Sequence, residues 1–232
     1  MKKISILFFL VFILSFNLSA AENILKNGDF ELDTNNDNVP DFWNYSKIEG
    51  ITLEKENGNK FIHLINKNNE YKEINQTILI EPGSIKSVLV KGRIKIKNIV
   101  PGQQEWEWAR VMVLFYDAKG VQVGGWPELG RWKGSFDWSE KMNVINVPSD
   151  ARSIMVQIQL SNCTGEMWAD DLQILPDVEF NIPRDEDDLL MNGDMEFGSS
   201  KPLYWGGWIN GDASFESPGY KSSTCFKITN TS

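Results

Sequence analysis

Tryptophan is the residue type in this chain best suited to chemistry at a surface, and it is concentrated in one stretch. Five of the nine tryptophans lie close together, at Trp106, Trp108, Trp126, Trp132 and Trp138. A flat indole face can stack on the C–H face of a sugar ring, and it loses little rotamer entropy on binding. The first four are therefore predicted to contact a carbohydrate, with packing of a loop as the alternative. Trp138 is expected to pack.

Spacing supports this prediction for both pairs of tryptophans. Trp106 and Trp108 are two residues apart, so they share a face if they lie on a strand. Trp126 and Trp132 flank a loop that contains glycine and proline. Either pair can form an exposed aromatic platform.

Four polar residues are candidates for the hydrogen bonds that would orient a sugar. If their aliphatic neighbours face the core, alternation turns these four outward. They are Arg93, Arg110, Gln157 and Gln159. Arginine and glutamine suit neighbouring hydroxyls because both present paired hydrogen-bonding groups. An ordinary solvated face is the alternative. Lys91 and Lys95 extend Arg93 into a positive stripe, which leaves an acidic polysaccharide open as the ligand.

A run of oxygen-bearing side chains between residues 33 and 41 has the spacing of a calcium-binding loop. Positions 1, 3, 5 and 9 of the run are Asp33, Asn35, Asp37 and Asp41. In a tight loop this spacing turns successive ligands toward one hard cation. The run departs from the EF-hand pattern at Asn38, where glycine is expected, and at Asn44, where glutamate belongs. Asx turns in a surface loop are the alternative.

Composition excludes several other chemistries. The chain has 23 Lys and Arg against 32 Asp and Glu, a net charge of −9, and it has no basic block. We therefore expect neither nucleic acid nor an anionic membrane surface as a partner. The single histidine, His63, excludes a two-histidine metal site. Cys163 and Cys225 are too few for a disulfide scaffold.

The first segment of the chain is predicted to be a targeting signal. Residues 1–21 combine Lys2 and Lys3 with an apolar run and small residues at the end. This pattern is typical of a Sec signal peptide and predicts a secreted bacterial protein, extracellular or periplasmic. We expect the exported protein to be a monomer.

The rest of the chain repeats itself once. Residues 27–31 (NGDFE) recur as residues 192–196 (NGDME), and residues 62–66 correspond to residues 226–230 at nearly the same offset. A proline and a run of acids separate the copies, as in a solvated linker. The predicted segments are a complete module over 22–178, an acidic linker over 179–187, and the truncated start of a second module over 188–232.

Alternation with a period of two dominates the complete module and predicts an all-β fold. The apolar members of the three clearest strands are Ile94, Ile96, Val111, Val113, Phe115, Ile154, Val156, Ile158 and Leu160. No stretch sustains a helical stripe, and turn signals separate the strands. Many short strands in a domain of this size predict an antiparallel β-sandwich of the jelly-roll type.

An ordered set of short motifs resembles a known family. The motifs are NGDFE at 27–31, FYDAKG at 115–120, GSFDW at 134–138, VP at 147–148 and WADDL at 168–172. Together they resemble a jelly-roll carbohydrate-binding module of the galactose-binding-like superfamily, of the family 4/9 type. The resemblance implies a non-catalytic module that binds a polysaccharide or oligosaccharide and is an accessory of a secreted glycoside hydrolase system.

The same resemblance implies a structural calcium at the rim of the sandwich. Glu31 matches the opening motif, Asp170 or Asp171 matches the closing one, and Asn57 or Asn59 could complete the ligand shell. Alternation puts Asp170 on the face of Trp168 and Leu172, which favours it over Asp171.

Two other functions stay open. One is a protein-binding or adhesive β-sandwich. The other is a jelly-roll glycoside hydrolase, since Glu105 and Glu107 alternate with tryptophans in a way that resembles the active-site strand of such enzymes. We expect these two glutamates to be surface charges at a strand edge, and the chain not to be an enzyme by itself.

Overall fold

The computed structural model describes residues 22–44 and 49–177, and the backbone of residues 212–216 and 225–229. In these ranges the chain forms twelve β-strands and no helix. Consequently, none of these residues belongs to a helix that could cross a membrane. The predicted signal peptide at 1–21 and acidic linker at 179–187 lie outside the described residues.

One face of the fold is a five-stranded antiparallel sheet. Its strands, numbered along the chain and given in spatial order, are β1 (Ile51–Glu56), β2 (Asn59–Asn66), β10 (Thr164–Pro176), β4 (Ser87–Val100) and β8 (Gly134–Asn146). The position of β10 between β2 and β4 means that the chain leaves this sheet and returns to it, as in a sandwich. This is called the first sheet below.

The second sheet is also antiparallel. Its strands, in spatial order, are β3 (Tyr71–Leu79), β9 (Ser153–Ser161), β5 (Ala109–Tyr116) and β6 (Gln122–Val123), with β7 (Glu128–Trp132) also paired to β5. The predicted all-β antiparallel sandwich is confirmed.

The hydrophobic core lies between the two sheets. The nine aliphatic and aromatic residues whose alternation predicted strands are at most 1% exposed. On β4, the lysines and Arg93 alternate with them and reach the surface. On β5, however, Met112 and Leu114 are buried as well. Side chains on both faces of this strand are therefore buried. Arg110 and Met112, on its outer face, form part of the floor of the groove described below.

The opening motif joins the start of the module to its last strand. Leu172 donates its backbone N–H to the Gly28 carbonyl oxygen at 2.9 Å. A Cβ at Gly28 would overlap the Leu172 carbonyl oxygen, so only glycine allows the two backbones to approach this closely. Phe30 is fully buried against Trp43, with ring centroids 5.1 Å apart. Gly28 and Phe30 of the NGDFE motif therefore have structural roles that require no ligand.

A separate hairpin lies near the end of the chain. Its strands are β11 (Asp212–Glu216) and β12 (Cys225–Thr229), which pair antiparallel. The segment that corresponds in sequence to β2 overlaps β12, and β2 likewise pairs with the strand before it. The second copy stays a prediction, because most of residues 188–232 lie outside the described residues.

Candidate functional site

An open groove of about 250 Å³ lies on the outer face of the second sheet. Five residues predicted to bind carbohydrate line it: Trp106, Trp126, Arg110, Gln157 and Gln159. The sequence analysis missed the other four, which are Tyr71, Met112, Ser161 and Asn162. The groove therefore brings together residues from three strands and three loops.

Strand register explains why the floor residues converge. Gln159 of β9 lies between Glu73 of β3 and Arg110 of β5, directly paired with both. Gln157 lies in the same way beside Met112. Residues that face each other across an antiparallel sheet point to the same side, so these side chains form one continuous floor that is polar except at Met112.

Two exposed indoles and a phenol provide aromatic surface. The side chains of Trp126, Trp106 and Tyr71 are 70%, 56% and 48% exposed. Partial burial, followed by the hydrogen bond to Glu73, raises the pKa of Tyr71, so its phenol stays protonated. These rings are grouped at one groove, and a grouped apolar surface of this kind marks a binding site more often than a single exposed ring does.

Trp106 is presented by a turn, and the expectation that Trp106 and Trp108 share a strand face was wrong. Both lie in the connection between β4 and β5, where Trp108 donates its backbone N–H to the Trp106 carbonyl oxygen at 3.1 Å. Arg110 Nη1 donates to the same oxygen at 3.2 Å. Trp108 is half-buried and lies under the Lys133 ammonium, 5.5 Å from the ring centroid. It does not line the groove.

The loop between β6 and β7 presents Trp126. Gly124 and Gly125 both have φ of 75°, a conformation that favours glycine. Gln122 donates its side-chain amide to the Gly125 carbonyl oxygen at 2.6 Å, and Val113 donates its backbone N–H to the Pro127 carbonyl oxygen at 3.0 Å. These bonds fix the loop against β5, so Trp126 is exposed on an anchored support.

Two other predicted residues lie away from the groove. Trp132 is only 7% exposed and packs edge-on against Phe136 with ring centroids 6.3 Å apart. Arg93 belongs to the first sheet, where its guanidinium lies 5.3 Å from the Trp138 ring centroid and 3.7 Å from Asp171. Neither can contact a ligand in the groove.

Some polar side chains of the groove floor are hydrogen-bonded within the protein, and one is not. Glu128 accepts from Arg110 Nε at 3.0 Å and lies 2.9 Å from its Nη2. Gln157 donates to Glu73 at 2.8 Å. Gln159 is 4% exposed, and its side-chain amide forms no hydrogen bond with a described residue. The amide is not among the buried polar atoms that lack a partner, so water still reaches it from the groove. A ligand that covers this amide must pair with it or leave it unpaired at a cost in free energy.

The candidate calcium loop between residues 33 and 41 forms its own hydrogen bonds. Asp33 accepts backbone N–H groups from Asp37 and Asn38, both at 3.2 Å. Asn35 Oδ1 also accepts from Asp37 N–H at 3.2 Å, and both carboxylate oxygens of Asp41 accept from Thr34 N–H. These Asx-type bonds account for the loop geometry without a cation. Calcium at this loop stays a prediction.

The candidate rim site contains a buried carboxylate. Asp170 is 1% exposed and accepts hydrogen bonds from Asn59 Nδ2 at 2.9 Å and from Asp171 N–H at 2.8 Å. It forms no ion pair with any described residue, and burial raises its pKa. Glu31 lies next to Asn59 in space, since it accepts the Lys60 backbone N–H at 2.7 Å. A carboxylate held only by neutral groups fits a hard cation.

The remaining candidates for the rim site, Asp171 and Asn57, are exposed, unlike Asp170. A register shift between Asp170 and Gln173 breaks the alternation of β10, and Asp171 there has φ of 51°. Leu172 is consequently in the core while Trp168 is half-buried on the outer face, so the expected common face is wrong. Asn57 is exposed in the turn between β1 and β2. No group of three or more His, Cys, Asp or Glu able to hold a metal occurs in the described part of the chain.

The residues considered for catalysis are not arranged as a pair on a strand. Glu105 and Glu107 lie in the turn before β5, and Glu107 accepts the Gln104 backbone N–H at 3.0 Å. His63 lies on the first sheet, 2.7 Å from Glu54 and stacked on Trp168. Its second ring nitrogen is 3.2 Å from Glu166 but without hydrogen-bond geometry.

Comparison with known proteins gives a likeness in fold. No protein-family model and no curated protein matches the chain. The enzymatically active domain of tailspike protein 4 from bacteriophage CBA120 is 14% identical, with a TM-score of 0.52 over 66% of this chain and 21% of that chain. This chain therefore spans about a fifth of the tailspike chain.

Several carbohydrate-binding modules also match. TmCBM61, solved in complex with β-1,4-galactotriose, is 16% identical over 67% of this chain and 99% of its own, with a TM-score of 0.42. The CBM22-1 xylan-binding domain of Xyn10C from Paenibacillus barcinonensis is 12% identical over 68% of this chain and 96% of its own, with a TM-score of 0.45.

Proposed function

We propose that the module binds a polysaccharide or oligosaccharide without catalysis, in the groove on the second sheet. The observation that carries this proposal is the combination of exposed Trp106 and Trp126 with a floor of Arg110, Gln157 and Gln159. The indoles supply stacking surface, worth about 1 kcal/mol per contact beyond area burial. The floor supplies paired polar groups for neighbouring hydroxyls.

The unpartnered amide of Gln159 supports a polar ligand over a protein partner. An apolar protein surface would leave this amide buried and unpaired, which costs about 1–3 kcal/mol. A sugar offers both donor and acceptor hydroxyls to the same atoms while its C–H face meets the indoles. We therefore do not propose a protein-binding or adhesive role. Failure to bind any glycan in the following test would favour that role instead.

Affinity electrophoresis against soluble β-glucans, xylans, mannans and uronic-acid polymers tests the proposal. We expect retardation of the wild type on at least one glycan, and weaker retardation of a Trp106→Ala/Trp126→Ala variant. Absence of retardation on every polymer would overturn it. Release of reducing sugar from the same panel, lost in a Glu105→Gln/Glu107→Gln variant, would instead establish a hydrolase.

Further expectations belong to the same proposal. The module is exported by its signal peptide, acts as a monomer, and serves as an accessory of a secreted glycoside hydrolase system, with a second, truncated copy after the linker. The assignment to the family 4/9 type rests on the sequence motifs alone. A structural calcium held by Glu31, Asn59 and Asp170 would neutralise the buried carboxylate and stabilise the native state; the mixed carboxylate and amide donors support it.

A further inference from the structure

Glu73 is a carboxylate beside the groove with no cationic partner among the described residues. Its three side-chain donors are all neutral: Tyr71 O–H at 2.6 Å, Gln157 Nε2 at 2.8 Å and Asn75 Nδ2 at 3.1 Å. It is paired directly with Gln159 across the sheet. Glu73 therefore places a negative charge without an ion-pair partner next to Tyr71 and Gln157, which line the groove.

The cations near the groove are already engaged. Glu128 binds Arg110 through Nε and Nη2, and it also binds Arg131 Nε at 3.0 Å. Glu107 does not line the groove, but it accepts from Asn162 Nδ2 of the groove at 3.3 Å and forms no ion pair with a described residue. A ligand carboxylate would need a free guanidinium edge for a bidentate contact, and the edge of Arg110 is occupied.

The hydrogen bonds of Glu73 also set the polarity of its neighbours. A carboxylate only accepts, so Tyr71 must donate its hydroxyl hydrogen and Gln157 its amide hydrogen. Apart from one remaining Gln157 amide hydrogen, the atoms that these two side chains have left for a ligand are acceptors: the phenol lone pairs and the Gln157 carbonyl oxygen. A sugar hydroxyl can donate to these acceptors and also accept from that hydrogen, whereas a ligand carboxylate can only accept from it.

We propose that Glu73 sets the charge specificity of the groove, which accepts uncharged sugars and rejects uronic acids. This inference rests on the proposed function. The positive stripe of Lys91, Arg93 and Lys95 left an acidic polysaccharide open as the ligand. This stripe lies on the first sheet, away from the groove. Glu73 acts both through its charge and through the orientation that it imposes on Tyr71 and Gln157.

A matched pair of polymers tests the proposal. The neutral polymer is the hexose polymer that retards the wild type most, and the acidic one is the same polymer after oxidation of its C6 hydroxyl to a carboxylate. For a xylan, the glucuronic-acid-substituted form takes this place. We expect the acidic polymer to bind the wild type at least tenfold more weakly in 20 mM NaCl.

Glu73→Gln should reduce the ratio of the acidic-polymer Kd to the neutral-polymer Kd about tenfold. This is the effect of one unit charge about 6 Å away at an effective dielectric constant of about 40. Glu140→Gln, which removes an exposed carboxylate on the first sheet, is the control and should leave the ratio unchanged. If Glu73→Gln unfolds, raising NaCl to 500 mM with the wild type should narrow the ratio instead, because salt screens the repulsion.

The outcomes are distinguishable. Failure to bind any glycan, neutral or acidic, overturns the proposed function itself, whereas binding of acidic glycans alone overturns only the role of Glu73. Binding of the neutral glycan together with equal or tighter binding of the acidic form overturns the role of Glu73 alone. The same holds if Glu73→Gln and Glu140→Gln change the ratio equally, since net charge would then explain the discrimination.

Discussion

Replacing Trp126 by alanine should weaken glycan binding about 30-fold and leave stability unchanged. A tryptophan side chain presents about 250 Å² of surface, and the 70% exposure of Trp126 leaves about 175 Å² of it in water. A sugar ring covers one face, about half of that area. At about 25 cal/mol per Å² this is about 2 kcal/mol, or about 30-fold in Kd.

The assay is isothermal titration with the glycan that retards the wild type most, together with thermal unfolding of each variant. Phe42→Ala is the matched control, because Phe42 is 54% exposed but lies outside the groove. Removal of an exposed ring should change the free energy of unfolding by less than about 0.5 kcal/mol in both variants. A Kd within twofold of wild type for Trp126→Ala, or an equal loss for Phe42→Ala, would refute the reasoning.

Three predictions concern the scaffold. Trp132→Ala should lower the free energy of unfolding by about 3–5 kcal/mol, because the indole is buried; urea denaturation checks this, and an unchanged midpoint would contradict it. Burial raises the pKa of the Cys163 thiol from 9.0 to about 11, so the unfolded chain ionises first as the pH rises. Stability should therefore fall by about 2 kcal/mol between pH 9 and 11, and this contribution should be absent in Cys163→Ala; identical pH slopes would argue against it. If calcium occupies the rim, a chelator should lower Tm by about 5–10 °C in the wild type and in Asp33→Asn but not in Asp170→Asn, and an equal Tm with and without chelator would exclude the ion.

Local pattern was sufficient to predict the fold. The period-two alternation of Ile94 and Ile96, and of Ile154 to Leu160, reports directly which side of a strand is buried. The same pattern correctly turned Arg110, Gln157 and Gln159 outward. Alternation failed only where the backbone departs from regular strand geometry: at the turn that carries Trp106, and at the register shift after Asp170.

The assembly of the site depends on pairing between distant strands, which one sequence does not encode locally. Arg93 and Arg110 have the same local pattern, yet β4 and β5 belong to different sheets, so only Arg110 reaches the groove. Tyr71 and Glu73 were missed because they join the floor only through the pairing of β3 with β9. The polar alternation of Tyr71, Glu73 and Asn75 was the one local signal for them.

A two-dimensional NMR titration of the tryptophan indole N–H signals tests the central claim most directly. The ligand is an oligosaccharide of the glycan that retards the protein. We predict that the Trp106 and Trp126 signals shift together and saturate at one Kd, while the signals of buried Trp43 and Trp132 stay in place. Saturable shifts confined to Trp138 and Trp168 on the other sheet, with Trp106 and Trp126 unmoved, would contradict the account.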